Sequence, residues 1–237
     1  MDNPPVNALP VAGWFELAET VRTLGDDPAV HAVILAAEGK GFNAGVDIKE
    51  MQRSHGHEAL VGANRGCAAA FAAVYECGVP LIAAVHGYCL GGGIGLVGNA
   101  DIIVASRDAT FGLPEVDRGA LGAATHLARL VPQHKMRAMV FTAAVATAED
   151  LYRYGSVLEV VERDDLRAAA RRVARSIAAK SPTVIRAAKQ CLNGIDPVDV
   201  KRSYRFEQGF TFELNLSGVA NEARSAFLEK RDAKFSR

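Results

Sequence analysis

The chain has 237 residues, of which 49% are hydrophobic and 23% charged, a composition that suits one large domain with a sizeable core. It carries 27 basic and 27 acidic side chains and therefore no formal net charge. This balance gives no reason to expect nucleic acid or an anionic membrane as a partner.

The first two thirds of the chain combine predicted helices with short apolar runs that are typical of buried strands. Residues 11–24 place Trp14, Leu17, Ala18, Val21 and Leu24 on one helical face. There follow, in chain order, a strand over 30–36, a Gly-rich turn over 39–45, a helix over 59–77, a strand over 81–85, a short buried helix over 91–98, and strands over 102–105 and 157–161. The pattern predicts α/β structure up to residue 162.

Beyond residue 162 the pattern becomes helical. Helices are predicted over 164–179, 183–193, 198–216 and about 220–232. We therefore divide the chain into a core over 1–162 and a helical region over 163–237. Such a helical region is typical of an oligomerisation element, a lid or a packed subdomain, and the pattern does not distinguish them.

The cysteines and the N-terminal segment predict a reduced, cytoplasmic protein. The spacing of the four cysteines fits neither a metal site nor a disulfide framework, so buried thiols are expected at Cys67, Cys77, Cys89 and Cys191. Residues 1–10 lack the basic and apolar regions of a signal peptide. No run of 18 apolar residues predicts a membrane span.

Two glycine-rich turns, at 43–48 and 91–95, each follow a predicted buried strand. Residues 93–98 match GxGxxG, but the next strand begins almost at once and leaves no room for the crossover helix of a dinucleotide site. Glycine lets backbone N–H groups approach a ligand, and two such groups can converge on one oxygen as an oxyanion hole. Spacing alone leaves open the alternative that these glycines only permit tight packing.

Several segments, in order along the chain, resemble the crotonase (enoyl-CoA hydratase/isomerase) family. They are GFNAGVDIKEM from residue 41, VHGYCLGGG from residue 85, DIIVA, TFGLPE and FLEKR. The resemblance covers nearly the whole chain. It implies an α/β fold with a spiral of ββα units over 1–162, a helical C-terminal region over 163–237 that forms a homotrimer or a hexamer, and an acyl-CoA ligand.

The resemblance also implies roles for individual positions. The N–H groups of Val46 and Gly92 match the two oxyanion donors. Four positions match residues that contact the CoA moiety: Ala44, Asp47, Ile48 and Lys230. Family members carry about twenty residues and a strand ahead of residues 3–9, so a misplaced start or missing first strands are expected here.

Only one of the two family acids is present. One falls on Glu115, the expected general base, and the other falls on Gly95, which has no side chain. Hydration of a double bond uses two carboxylates, so classical enoyl-CoA hydration is not expected. His126, with its near-neutral titration, is a further catalytic candidate, although a core or surface histidine is the more common case.

Other acidic residues have structural interpretations. Asp117 and Arg118 predict a local ion pair. Glu207 and Glu213 lie among phenylalanines at a spacing that is typical of a core or a subunit interface, although they could line the pocket.

The segments NAGVDIKEMQR, VYEC, GGGIGLVGNADIIVAS, GALGAATHL and EQGFTFELNL resemble an actinobacterial branch of the family that degrades steroid rings C and D. The resemblance implies a hydrolase that opens a ring of a bicyclic keto acyl-CoA by retro-Claisen cleavage, without a metal or a cofactor beyond the CoA of the substrate. The alternatives are an enoyl-CoA hydratase or double-bond isomerase, and a CoA-binding protein without activity.

Overall fold

The computed structural model describes residues 1–54 and 57–234. Its α-helices are α1 (Val11–Asp26), α2 (Ile48–Arg53), α3 (Glu58–Glu76), α4 (Gly92–Val97), α5 (Ala124–Leu127), α6 (Gln133–Thr142), α7 (Ala148–Arg153), α8 (Leu166–Ala178), α9 (Pro182–Gly194), α10 (Val200–Leu216) and α11 (Val219–Glu229). Its strands are β1 (Val33–Leu35), β2 (Leu81–Val85), β3 (Tyr88–Leu90), β4 (Ile102–Ser106), β5 (Thr110–Gly112), β6 (Val145–Thr147) and β7 (Glu159–Val161). Two 3₁₀ helices span Pro114–Arg118 and Arg163–Asp165.

The strands form two sheets, and between β2 and β5 the chain alternates from one sheet to the other. The first is parallel with the order β1-β2-β4-β7, and the second has the order β3-β5-β6, in which β3 and β5 are parallel. The unit β2-β3 is followed by α4, and the unit β4-β5 is followed by the 3₁₀ helix Pro114–Arg118. This repetition confirms the predicted α/β spiral, and it brings the ends of successive units to the same side of the molecule.

Helices cover both faces of the first sheet, which explains why all five residues of β2 are buried. On one face α1 and α3 pack together, with Trp14, Ala18 and Val21 of α1 in the core. On the other face Leu166, Ala169 and Ala170 of α8 pack against β2 and β4.

Some sequence-based expectations need correction. Leu24, expected on the buried face of α1, is 37% exposed, whereas the next residue, Gly25, is buried. The strand expected over 30–36 is limited to three residues, Val33–Leu35. Cys191 is exposed on α9, whereas the other three cysteines are buried as expected.

The predicted helices from residue 58 onwards agree closely with α3, α8, α9, α10 and α11. The sequence analysis missed β3, β5, β6, α2, α6 and α7, which have three to ten residues each. Among the described residues, no helix is both long enough and apolar enough to cross a membrane.

Candidate active site

Three chain segments that follow or flank strands lie side by side and enclose a cavity of about 140 Å³. Asn43 pairs with Cys89 of β3 in a parallel bridge, and β3 pairs in parallel with β5. The turn at 43–46, the start of α4 and the start of the 3₁₀ helix therefore meet at one edge. The cavity-lining residues used below are Ala44, Gly45, Val46, Ile48, Asn64, Phe71, Gly91, Gly92, Glu115, Arg118, Tyr204, Thr211, Asn215 and Arg224.

The backbone N–H of Val46 is free of ladder hydrogen bonds. Leu9 donates its N–H to the Gly45 carbonyl at 2.9 Å, and Asp47 donates to the Leu9 carbonyl at 3.0 Å. In this parallel pairing the N–H of Val46 points to the opposite side, and it has no acceptor in the described part of the chain. Since Val46 lines the cavity, its amide is available to a ligand.

The N–H of Gly92 is free for a different reason. Gly92 is the first residue of α4, and the first N–H groups of a helix have no intrahelical acceptor. Gly45, with φ +87°, approaches it so closely that an added Cβ would lie 3.2 Å from the Gly92 nitrogen. The structure thus brings Val46 and Gly92 to one cavity.

Glu115 faces these amides from the 3₁₀ helix. Its Oε2 is buried and has no hydrogen-bond partner among the described residues. A Cβ on Gly91 would lie 2.5 Å from its Oε1, and Gly91 also has φ +57°, so glycine is required beside the carboxyl. Burial raises the Glu115 pKa to about 7, against the opposing effects of a backbone hydrogen bond and the Arg118 charge.

The space beside Gly95, where the family's second acid would lie, is filled by an aromatic ring. A Cβ on Gly95 would lie 2.1 Å from the Phe71 ring. Phe71 packs edge-on against Trp14 at 5.8 Å and against His126 at 5.0 Å, and lies 5.0 Å from Tyr204. The site therefore presents one carboxylate and an aromatic wall.

His126 does not line the cavity. It is 1% exposed, it packs edge-on against Phe71 and at a tilt against Tyr204, and neither ring nitrogen has a hydrogen-bond partner in the described structure. Burial lowers the pKa of its imidazole to about 3, so the ring is neutral. The geometry gives His126 no contact with a ligand in this cavity.

The four positions expected to contact CoA fall in different places. Ala44 and Ile48 line the cavity. Asp47 is the N-cap of α2, where its carboxylate accepts hydrogen bonds from the N–H groups of Lys49 and Glu50 at 2.9 and 3.3 Å. Lys230 is exposed at the C-cap of α11, outside the cavity lining.

The prediction of an ion pair between Asp117 and Arg118 is wrong. The ion pairs of the described residues do not include it, and the Arg118 guanidinium instead lies over the Phe227 ring at 4.2 Å from the centroid. Arg118 also lines the cavity.

Glu207 has a structural role. It accepts hydrogen bonds from the N–H groups of Ala124 and Thr125 at 2.9 and 2.6 Å and thereby joins α10 to the start of α5. Burial raises the pKa of Glu207, and these hydrogen bonds oppose the effect. The phenylalanines beside it, Phe206 and Phe210, are 71% and 41% exposed, so they are not part of the core of the single chain.

The sequence analysis did not anticipate the cavity wall contributed by α3 and α10. Tyr204, Gln208, Thr211 and Asn215 are buried at helical spacing on one face of α10. Partly polar residues at this spacing are the signal that could have identified a polar pocket wall. Among the described residues, no group of three or more His, Cys, Asp or Glu is placed to hold a metal ion.

The enoyl-CoA hydratase/isomerase family profile matches residues 1–237. The chain is 67% identical to a (7aS)-7a-methyl-1,5-dioxo-2,3,5,6,7,7a-hexahydro-1H-indene-carboxyl-CoA hydrolase of Rhodococcus jostii, over 97% of this chain and 89% of the relative. It is also 67% identical to the hydrolase of the same name from Mycobacterium tuberculosis, over 97% of this chain and 93% of the relative. Among solved structures it resembles carnitinyl-CoA hydratase from Mycobacterium avium, with a TM-score of 0.86 and 30% identity over 100% of this chain and 93% of the other.

Proposed function

Since the chain belongs to the enoyl-CoA hydratase/isomerase (crotonase) family, we propose that it is a hydrolase that opens one ring of a bicyclic keto acyl-CoA. The bond cleaved is a carbon–carbon bond, broken in a retro-Claisen reaction. The two relatives at 67% identity are named for hydrolysis of a dioxo bicyclic carboxyl-CoA, and this name motivates the substrate class. The reaction belongs to the degradation of steroid rings.

The observation that carries the proposal is a single buried carboxyl facing two free amides. Water addition to a ketone needs one base, and Glu115, with its pKa near neutrality, suits that task. Cleavage of the carbon–carbon bond then moves an electron pair towards the thioester carbonyl, directly or through a conjugated double bond. The N–H groups of Val46 and Gly92 stabilise the resulting enolate oxygen.

The rest of the site agrees with hydrolysis rather than hydration. Phe71 occupies the space of a second acid beside Gly95, so the paired carboxylates used in hydration are missing from the described site. The apolar and aromatic lining fits a carbocyclic acyl group. No metal or redox cofactor enters this chemistry, and the only cofactor moiety is the CoA of the substrate.

The remaining expectations for the ligand and the assembly extend the same proposal. Ala44 and Ile48 contact the pantetheine, the main chain near Asp47 lies along the CoA, and Lys230 contacts a CoA phosphate. The helical region assembles three or six cytoplasmic chains, and the exposed apolar side chains there, Phe206, Phe210, Leu216 and Phe227, suit such an interface. Sedimentation equilibrium measures the mass of the assembly.

The test is the variant Glu115→Gln, assayed with a bicyclic dioxo acyl-CoA by mass spectrometry. The unsubstituted protein should add the mass of one water and create a carboxylate, and the variant should lose this turnover by at least about a hundredfold. Binding of butyryl-CoA should remain within about threefold, because Gln fills the same volume without acting as a base. Unchanged turnover in the variant would remove Glu115 from the mechanism.

An assay with crotonyl-CoA distinguishes the proposed hydrolase from a hydratase and from a CoA-binding protein without activity. Rapid loss of its enoyl absorbance would favour a hydratase, and inertness towards both substrates with CoA esters still bound would favour a binding protein. Slow or absent hydration together with ring opening is the result expected here.

A further inference from the structure

Arg118 lines the cavity, and its side chain forms no ion pair or hydrogen bond within the described part of the chain. Its Nε is buried, while the residue as a whole is only partly buried. Burial lowers the pKa of this guanidinium, against the opposing charges of Glu115 and Asp117. Arg118 is therefore a partly buried positive charge in the wall of a mostly apolar cavity.

The described residues compensate this charge only in part, through the nearby Glu115 and Asp117 charges and the contact with the Phe227 ring. A guanidinium with free N–H donors matches a carbonyl oxygen, an oxyanion or a carboxylate. The cavity thus has a place for an oxygen of the ligand that the two backbone amides do not serve.

The local helix geometry sets Arg118 beside Glu115. In a 3₁₀ helix the side chains at i and i+3 eclipse each other, and Glu115 and Arg118 have this spacing within Pro114–Arg118. Each presents a buried polar atom that has no hydrogen-bond partner among the described residues, Oε2 and Nε respectively. A base and a cation are thereby placed on one side of the same short helix.

A second arginine in the cavity wall, Arg224, has fewer unpaired N–H donors than Arg118. Arg224 donates hydrogen bonds to Asn215 at 2.5 Å and to Asn221 at 2.6 Å, so neutral amides already satisfy part of its donor capacity. The free donors for a ligand oxygen are therefore concentrated on Arg118.

We infer that Arg118 is a catalytic residue that binds the oxygen of the ring ketone, stabilises the oxyanion formed when water adds there, and then holds the new carboxylate. This inference rests on the proposed ring-opening function and adds a second oxyanion site to it. The backbone amides serve the thioester oxygen and Arg118 serves the ketone oxygen, so the two charges that develop in the reaction have separate partners.

The reaction proceeds by addition of water to the ketone, followed by cleavage of the ring carbon–carbon bond. Glu115 takes a proton from water, the water oxygen bonds to the ketone carbon, and the carbonyl π pair moves onto the oxygen beside Arg118. That oxyanion re-forms its carbonyl while the ring carbon–carbon bond breaks, and the bonding pair passes to the thioester oxygen as an enolate. Glu115 returns its proton to the enolate carbon, so one water is consumed and one carboxylic acid is formed.

The test compares Arg118→Met with the unsubstituted protein in the ring-opening assay. The kcat is measured on the high-pH plateau, where Glu115 is ionised in both proteins, because the Arg118 charge also lowers the Glu115 pKa. We expect the plateau kcat to fall about 10²–10³-fold, the usual effect of removing one oxyanion donor. Binding of butyryl-CoA, which has no ring ketone, should stay within about threefold. Arg65→Met, on the exposed face of α3, is the matched control and should leave kcat unchanged.

A plateau kcat reduced less than about tenfold, or only a shift of the pH profile, would overturn the inference and leave the proposed function intact. A loss of butyryl-CoA binding of more than about tenfold would overturn it too, since Arg118 would then be a structural part of the pocket. If Arg118→Met does not fold, Arg118→Gln is judged by the same limits. Absence of ring opening by the unsubstituted protein would overturn the proposed function and this inference together.

Discussion

At the scale of single residues, Glu115 combines two properties that oppose each other. The carboxyl is buried without a partner on Oε2, which destabilises its ionised form. A base must nevertheless be ionised to take a proton. The pKa of about 7 leaves a substantial ionised fraction near neutrality while keeping the base strong enough to activate water.

The pH dependence of turnover follows from this pKa. Because only the ionised carboxylate accepts a proton, kcat should rise with pH through a midpoint of about 7 and then level off. A pH series of initial rates with the bicyclic substrate measures this profile. A flat profile between about pH 5 and 9 would contradict the assignment of Glu115 as the base.

The same ionisation affects stability. The folded pKa lies above the reference value of 4.5, so the stabilising contribution of the protonated carboxyl is complete below 4.5 and is lost as the pH rises through about 7. A rise of the Glu115 pKa from 4.5 to about 7 corresponds to about 3 kcal/mol. Urea unfolding of Glu115→Gln should show a stability advantage over the unsubstituted protein that grows by up to this amount between about pH 4.5 and pH 8.

At the scale of elements, α3 and α4 determine which chemistry the site can carry. The close packing of Phe71 from α3 against Gly95 of α4 leaves no room for any side chain at residue 95. The aromatic contacts of Phe71 with Trp14 and His126 hold the ring in place. Restoring an acid at residue 95 would therefore require the aromatic cluster to move.

Gly95→Ala tests this packing. An added Cβ at 2.1 Å from the Phe71 ring should lower the free energy of unfolding by about 1–3 kcal/mol. Gly209→Ala in α10, where nothing lies within 4 Å, is the matched control and should be neutral or stabilising by up to about 1 kcal/mol. In a Phe71→Ala background the effect of Gly95→Ala should shrink, as a double-mutant cycle of urea unfolding measures. An undiminished loss in that background would show that the backbone, and not Phe71, excludes the side chain.

At the scale of the whole molecule, the helical region is attached to the sheet by an ion pair between a buried lysine and a partly exposed aspartate. Lys189 of α9 donates to both carboxylate oxygens of Asp101 at 2.7 Å, and its side chain is only 4% exposed. Asp101 also accepts a hydrogen bond from the N–H of Leu81, at the start of β2. Residues far apart in the chain thereby hold α9 against the ends of two central strands.

Removing the lysine of this pair should be destabilising. Lys189→Met leaves the partly exposed Asp101 carboxylate without its cation, and we expect a loss of about 1.5–3 kcal/mol in unfolding free energy, the usual range for a hydrogen bond to a charged group. Lys201→Met removes the cation of an exposed pair with Glu76 and should cost less than about 1 kcal/mol. Chemical denaturation of both variants gives the comparison, and equal losses would show that burial does not govern these pairs.

By itself the sequence determined the long helices, the buried strand β2 and the two glycine turns, because periodicity, continuous apolar runs and positive φ are local properties. Glu115 and the missing acid at Gly95 came from the resemblance of the sequence to the family, and not from local properties of these positions. Only the tertiary structure decided that three-residue strands such as β3 and β5 align these turns, since pairing at a distance stabilises them. It likewise decided that Phe71 fills the space beside Gly95 and that Arg118 faces the cavity instead of pairing with its neighbour, because both depend on contacts between residues far apart in the chain.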